Sequence, residues 1–144
     1  MRCPDTELLS IPIFGGLHQQ TVNDIIEKSS VFTCEPGVYM LCEGDTGDAF
    51  YILVGGQAKV VRGDPEQHLF DLGRGDCFGE MALIDHQPRS ASVRAISSCV
   101  VMEITQDTLF DLYQTNPKQY TLLHMNMARE VSRRLRYADN HIQA

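Results

Sequence analysis

Residues 78–93, FGEMALIDHQPRSASV, carry the most informative pattern in the chain. The stretch has neither the period of a long helix nor the alternation of a strand, and Pro88 stands immediately before Arg89. We therefore expect a loop that contains one short helix, set within a chain that is otherwise rich in short strands. Loops of this kind often bind ligands.

The residue types in this loop suit a ligand that has both a phosphate and a sugar hydroxyl. Gly79 precedes a short helix, and the first N–H groups of a helix lack partners within it and favour an anion. Arg89 presents a fork of donors for a phosphate, with the Ser90 hydroxyl beside it. Glu80, when ionised, only accepts hydrogen bonds, which fits a hydroxyl. Two small residues would let a ligand lie against the main chain: Ala82 and Ala91.

The segments on either side of the loop predict a β-rich core. Glycine-rich turns separate short apolar runs at Tyr39–Cys42, Ala49–Val54, Ala58–Val61, Leu69–Leu72 and Ala91–Ile104. Strands spaced by about ten residues, with glycine at the turns, predict an antiparallel jelly-roll barrel. The glycines of these turns, Gly44, Gly47, Gly56 and Gly75, are expected to serve backbone conformation rather than contact a ligand.

Helical patterns flank the strands. Residues 12–30 predict a short N-terminal helical segment, and TQDTLFDLYQ (105–114) predicts an amphipathic helix. Asn116 and Pro117 then begin a second C-terminal helix that runs to about residue 141. One face of that helix has an apolar stripe at Tyr120, His124, Met127, Val131, Leu135, Ala138 and Ile142.

The expected organisation is one α+β domain over residues 1–144. It has a helical segment at 1–30, a β-roll at 31–104 that contains the loop at 78–93, and two helices at 105–144. The length of 144 residues suffices for one domain with a substantial core.

Composition excludes several function classes. The net charge of -7 argues against a broad nucleic-acid surface. The five histidines are scattered and the five cysteines contain no C-x-x-C pair, so neither a metal site nor a zinc framework is expected. No apolar run is long enough to span a bilayer and no signal peptide is visible, which favours a cytoplasmic location.

The combined motif resembles the phosphate-binding cassette of cyclic nucleotide-binding domains. Residues 75–80 are GDCFGE, and residues 88–93 are PRSASV. Upstream, residues 43–60, EGDTGDAFYILVGGQAKV, are similar to the turn, strand and turn that precede the cassette in this family. The resemblance covers nearly the whole chain.

The resemblance implies a role for each cassette residue. Glu80 would accept a hydrogen bond from the ribose 2′-hydroxyl, and Arg89 would pair with the cyclic phosphate. One departure concerns the base: where one adenine-reading branch of the family has a Thr-Ser pair, this chain has Arg134 and Leu135, so base recognition stays open. Arg134 is the candidate to cover the base. The candidate ligand-binding residues are Phe78, Gly79, Glu80, Met81, Ala82, Arg89, Ser90, Ala91, Val93 and Arg134.

The function that the resemblance implies is a sensor without catalytic residues, metal or catalytic cofactor, with cAMP favoured over cGMP as its ligand. It would report the ligand through its C-terminal helix, form a homodimer through that helix and act on an unidentified effector protein or domain. Two alternatives remain: a small jelly-roll enzyme acting on a phosphorylated sugar or nucleotide, and a dimerisation module that binds no ligand. A structural salt bridge between Glu80 and Arg89 would also explain the presence of an acid and an arginine in this loop.

Overall fold

Eight strands between Ser30 and Thr105 pair into two antiparallel sheets of four strands each. The structure is a computed structural model that describes residues 10–143, with side chains described as far as Tyr137. The strands are β1 (Ser30–Cys34), β2 (Tyr39–Leu41), β3 (Ala49–Gly55), β4 (Ala58–Arg62), β5 (Gln67–Leu72), β6 (Cys77–Phe78), β7 (Ser92–Ala95) and β8 (Cys99–Thr105). One sheet has the order β1-β8-β3-β6 and the other has the order β2-β7-β4-β5.

The two sheets form an open sandwich, and the closed barrel expected from the sequence is not confirmed. A barrel needs a continuous ladder of hydrogen bonds around its circumference. Here the edge strands of one sheet, β1 and β6, pair with no strand of the other sheet. The strand β6 has only two residues, because Gly79, with φ of 82°, turns the chain away from the ladder.

The sequence pattern located most strands but missed two. The strands β1 and β6 fall outside the predicted apolar runs, because β1 is largely exposed and β6 is very short. The predicted run Ala91–Ile104 is two strands, β7 and β8. The chain between them turns at Ile96, whose N–H donates to the carbonyl of Gln57.

The central strands divide the interior into two apolar clusters. On β8, Val101 faces the cluster between the two sheets, whereas Met102 faces the cluster between the first sheet and the helices. Leu53 and Phe50 on β3 divide in the same way. Strands with both faces covered lack the simple alternation of a half-buried strand, which is why β3 and β8 appear in the sequence as continuous apolar runs.

The helices lie before, within and after the strands. A 3₁₀ turn (Pro12–Phe14) precedes α1 (Gln19–Lys28), and the loop between β6 and β7 contains α2 (Met81–Asp85). After β8 come α3 (Gln106–Thr115) and α4 (Pro117–Gln143). The backbone N–H of Thr108 donates to the side chain of Thr105, which caps α3. No helix within residues 10–143 is long and apolar enough to cross a membrane.

Helix α4 packs on the body of the domain through its first half. Asn126 Nδ2 donates to the carbonyls of Ile13 and Gly15, at 2.9 Å each, which ties α4 to the N-terminal turn. Of the predicted apolar stripe, Met127 is buried, His124 is exposed and Leu135 is 62% exposed. The face of α4 that is buried is shifted by about one residue toward the N-terminus from the predicted stripe. It contains Leu123, Asn126, Met127 and Glu130. Ala138 and Ile142 lie outside the described side chains.

Candidate functional site

The loop between β6 and β7 forms one wall of a pocket with a volume of about 440 Å³. Side chains of the second sheet and of α4 line the rest of the pocket. All ten candidate residues from the sequence line this one pocket, including Arg134 on α4. The structure therefore brings together side chains that are up to 56 positions apart, counting from Phe78 to Arg134.

Arg89 is held in place by backbone carbonyls. Its guanidinium donates from Nη1 to Gly79 O at 2.7 Å and from Nη2 to Ala49 O at 3.0 Å, and the side chain lies 5.9 Å from the Tyr51 ring centroid. The residue is only 7% exposed. Among the residues that the structure describes, Arg89 has no ion-pair partner, so its positive charge stays available at the pocket wall.

The backbone of Arg89 is also fixed. Its N–H donates to Asp45 O and its carbonyl accepts from Gly44 N, both at 2.8 Å. The loop before β3 therefore positions this residue through its main chain, and Ala49 at the start of β3 positions it through its side chain. A buried arginine that is oriented in this way costs little reorganisation when it meets an anion.

Glu80 pairs with α4 rather than with Arg89. Its Oε1 accepts from Arg134 Nη1 at 2.7 Å, and the residue is 2% exposed. The second oxygen, Oε2, is buried and has no hydrogen-bond partner among the described residues. The alternative of a Glu80–Arg89 salt bridge is therefore wrong. A buried, unpartnered carboxylate oxygen at a pocket wall is suited to accept from a ligand hydroxyl.

Burial and charge act in opposite directions on Glu80. Removal from water raises the pKa of this carboxyl above its usual value, whereas the guanidinium of Arg134 lowers the pKa and limits the rise. The neighbouring acid Glu130 raises the pKa further, and Arg89 lowers it slightly. Arg134 is thus the main group that favours the ionised form of Glu80.

Arg134 makes contacts that its sequence position did not predict. Besides Glu80, its Nη2 donates to the carbonyl of Cys77, and its guanidinium lies 5.6 Å from the Phe70 ring centroid. One α4 side chain thus touches β6, the cassette and β5. Sequence reasoning placed Arg134 near the base of a ligand, and the structure adds a direct bond to the cassette acid.

Sequence reasoning missed most of the apolar wall. The second sheet and α4 contribute five further apolar lining residues and one cation; they are Leu41, Val60, Phe70, Val131 and Leu135, with Arg62. Inward positions of alternating strands would have suggested Val60, but which strands face the cassette depends on the stacking of the sheets. This wall offers a surface for a flat ring, next to a cation and an acceptor.

Comparison with known proteins shows the family of the chain. The family model of the cyclic nucleotide-binding domain matches residues 31–116, which is more than half of the chain. A cAMP-dependent protein kinase regulatory subunit from Emericella nidulans is 36% identical over 100 residues, which cover 69% of this chain and 24% of that protein. A cGMP-dependent protein kinase from Toxoplasma gondii is 38% identical over 102 residues, which cover 71% of this chain and 10% of that protein.

Among solved structures, a cyclic nucleotide-binding domain from Methylobacillus flagellatus superposes with a TM-score of 0.89 at 25% identity. The superposition covers 96% of this chain and 82% of the bacterial one. The chain therefore belongs to the cyclic nucleotide-binding domain family. It spans about a quarter or less of the length of the two kinase proteins that it resembles.

Proposed function

We propose that this domain is a non-enzymatic sensor of cAMP that signals through the position of α4. The observation that carries the proposal is the state of the two charged cassette residues. Within the part of the chain that the structure describes, Arg89 lines the pocket without an ion-pair partner, and one oxygen of Glu80 has no hydrogen-bond partner. A cyclic nucleotide supplies the phosphate and the 2′-hydroxyl that would complete both.

The phosphate would bind at the Arg89 end. The two carbonyls that accept from Arg89 leave other N–H groups of the guanidinium for phosphate oxygens, because arginine has five such donors. The hydroxyl of Ser90 and the backbone N–H groups around Gly79, Met81 and Ala82 would add donors. The pocket around the phosphate is partly buried, which strengthens each of these bonds.

The ribose and base would occupy the Glu80 end. The 2′-hydroxyl would donate to Glu80, and the purine would lie against Val60, Phe70 and the α4 residues Val131 and Leu135. Leu135 is largely exposed, so a bound base would cover apolar surface that water now reaches. Arg134 would flank the base from α4.

The ion pair between Glu80 and Arg134 is the proposed connection to the output. A 2′-hydroxyl on Glu80 changes the environment of the acid that holds α4, and the ligand can shift α4 only by its difference in affinity between two helix positions. The exposed Leu135 supports the further proposal that α4 joins two chains. The effector would be a further protein or domain, and the net charge of -7 disfavours direct contact between this domain and nucleic acid.

Calorimetric titration with cAMP and with cGMP tests the function, with chromatography of the nucleotide after prolonged incubation. We expect saturable binding of cAMP, weaker binding of cGMP and no change in the nucleotide. Conversion of the nucleotide would support the alternative of a jelly-roll enzyme. Absence of binding to either nucleotide would support the alternative of a dimerisation module that binds no ligand. Competition between cAMP and cGMP for one fluorescent analogue would show which of the two binds more tightly.

A further inference from the structure

Gly47, in the loop before β3, touches the guanidinium of Arg89. A Cβ atom at position 47 would lie 2.1 Å from Arg89 Nη2, 2.7 Å from Cζ and 3.0 Å from Nε. These distances are far below van der Waals contact, so a side chain at position 47 and the present position of the Arg89 guanidinium exclude each other.

The backbone does not explain a glycine at this position. Left-handed φ values occur at Gly44 (89°), Gly56 (94°) and Gly75 (90°), where glycine is required for conformation. Gly47 is outside the left-handed region. The expectation from sequence that all four turn glycines serve the backbone is therefore wrong for Gly47, whose missing side chain makes room for Arg89.

A second glycine also borders the guanidinium. A Cβ atom at Gly79 would lie 2.7 Å from Arg89 Nη1. The guanidinium thus occupies a slot between two glycines from separate segments, and it is hydrogen-bonded at the ends of that slot to Gly79 O and Ala49 O. We call this space, bounded by Gly47, Gly79 and Ala49, the guanidinium slot.

The group that must move in response to a side chain at position 47 is the end of Arg89. A guanidinium is the far end of a flexible side chain, whereas the neighbouring backbone is held by strand pairing. Moving the guanidinium out of the slot breaks its bonds to the two carbonyls. The main effect of a substitution at Gly47 is therefore expected on the position of the positive charge rather than on the fold.

We propose that Gly47 is a positioning residue for ligand binding: its lack of a side chain places the Arg89 guanidinium where the ligand phosphate binds. The inference rests on the proposed function, in which Arg89 pairs with a cyclic phosphate. Gly47 itself does not contact the nucleotide. It acts through Arg89, because charge-assisted hydrogen bonds depend on the position and direction of the donors.

The first test is calorimetric titration of the whole chain with cAMP, comparing Gly47→Ala with wild type. We expect the variant to bind at least about tenfold more weakly, since a displaced guanidinium loses charge-assisted bonds to the phosphate. The matched control is Gly73→Ala, because a Cβ atom at Gly73 meets nothing within 4 Å and this glycine is also outside the left-handed region. The control should bind within about twofold of wild type.

The second test asks whether the effect passes through Arg89. Urea midpoints without nucleotide are measured for Gly47→Ala, Arg89→Ala and the double variant, which form a thermodynamic cycle. Gly47→Ala should lower the midpoint when Arg89 is present and should not lower it further in the Arg89→Ala background. A single variant that fails to fold while the double variant folds would support the same coupling.

Three results would overturn the inference or its basis. Binding of cAMP by Gly47→Ala within about threefold of wild type would refute the positioning role. Equal loss of stability with and without Arg89, or failure of both variants to fold, would show that Gly47 does not act through Arg89. If the two substitutions are coupled in stability but Arg89→Ala binds cAMP normally, the contact between Gly47 and Arg89 is supported. The role of Arg89 in binding the phosphate is then refuted instead.

Discussion

Replacing Arg134 by alanine should destabilise the ligand-free domain, and the loss should depend on pH. The substitution removes the only ion-pair partner that Glu80 has among the described residues and leaves its carboxyl buried, at 2% exposure. It also removes the donor to the Cys77 carbonyl. Glu80 would then have no cation in hydrogen-bond contact.

The magnitude follows from the burial of the two partners. Removing one member of a buried ion pair costs about 3–5 kcal/mol, because the remaining charge is left without compensation. Arg134 has a side-chain exposure of 21%, so its removal admits some water to Glu80, and the carboxyl can also take up a proton. We therefore expect the lower end of that range, about 3 kcal/mol near about pH 7.5.

The direction of the pH dependence comes from the raised pKa of Glu80. A carboxyl whose folded pKa exceeds its unfolded pKa contributes stability that is fully present below the unfolded value and lost as pH rises through the folded value. Loss of Arg134, which lowers this pKa, moves the folded pKa still higher. The variant therefore loses more stability than wild type as pH rises, and near about pH 5 the gap should shrink to about 1 kcal/mol, the contribution of the lost hydrogen bonds.

Urea unfolding followed by circular dichroism at both pH values measures this gap. Arg136→Ala is the matched control, since it removes the same charge from an exposed position on α4 and should change stability by less than about 0.5 kcal/mol. In the Glu80→Gln background, the cost of Arg134→Ala should be the same at both pH values, because the buried group can no longer ionise. A gap of equal size at both pH values, or one below about 1 kcal/mol near about pH 7.5, would refute the reasoning.

Three further predictions concern the ligand. Arg89→Ala should lose about 2–5 kcal/mol of cAMP binding energy in calorimetric titration, because the phosphate loses its cation, and affinity within about threefold of wild type would contradict that role. Glu80→Gln should bind more weakly by a smaller amount and should discriminate less between cAMP and its 2′-deoxy analogue, since an amide oxygen accepts less strongly than a carboxylate; unchanged discrimination would separate Glu80 from the sugar. Ending the chain after Arg129 should weaken cAMP binding and shift the protein toward monomer, because it removes Val131, Arg134 and Leu135 from the pocket and from the proposed interface. Titration would measure the affinity and light scattering the mass. Full affinity together with an unchanged mass would exclude both roles.

The local pattern of the sequence was sufficient for the cassette and for most of the secondary structure. Glu80 and Arg89 were predicted as site residues because both lie in one short loop whose composition suits a phosphate and a hydroxyl, and the structure places both at one pocket. Strands β3, β4 and β5 and helices α3 and α4 followed from apolar runs, turn glycines and the Asn116-Pro117 start signal. These features depend on neighbours within a few positions, which a single sequence contains.

The features that depend on how distant segments meet came from the tertiary structure. The Arg134–Glu80 pair joins residues 54 positions apart, and Gly47 meets the Arg89 guanidinium although four strands and a helix separate the two residues in the sequence. Neither contact has a local signature in the sequence, because the first depends on how α4 packs beside the cassette and the second on how the loop before β3 meets it. The open sandwich has the same cause: alternation shows which strand face is buried, but the pairing of the edge strands shows whether the sheet closes.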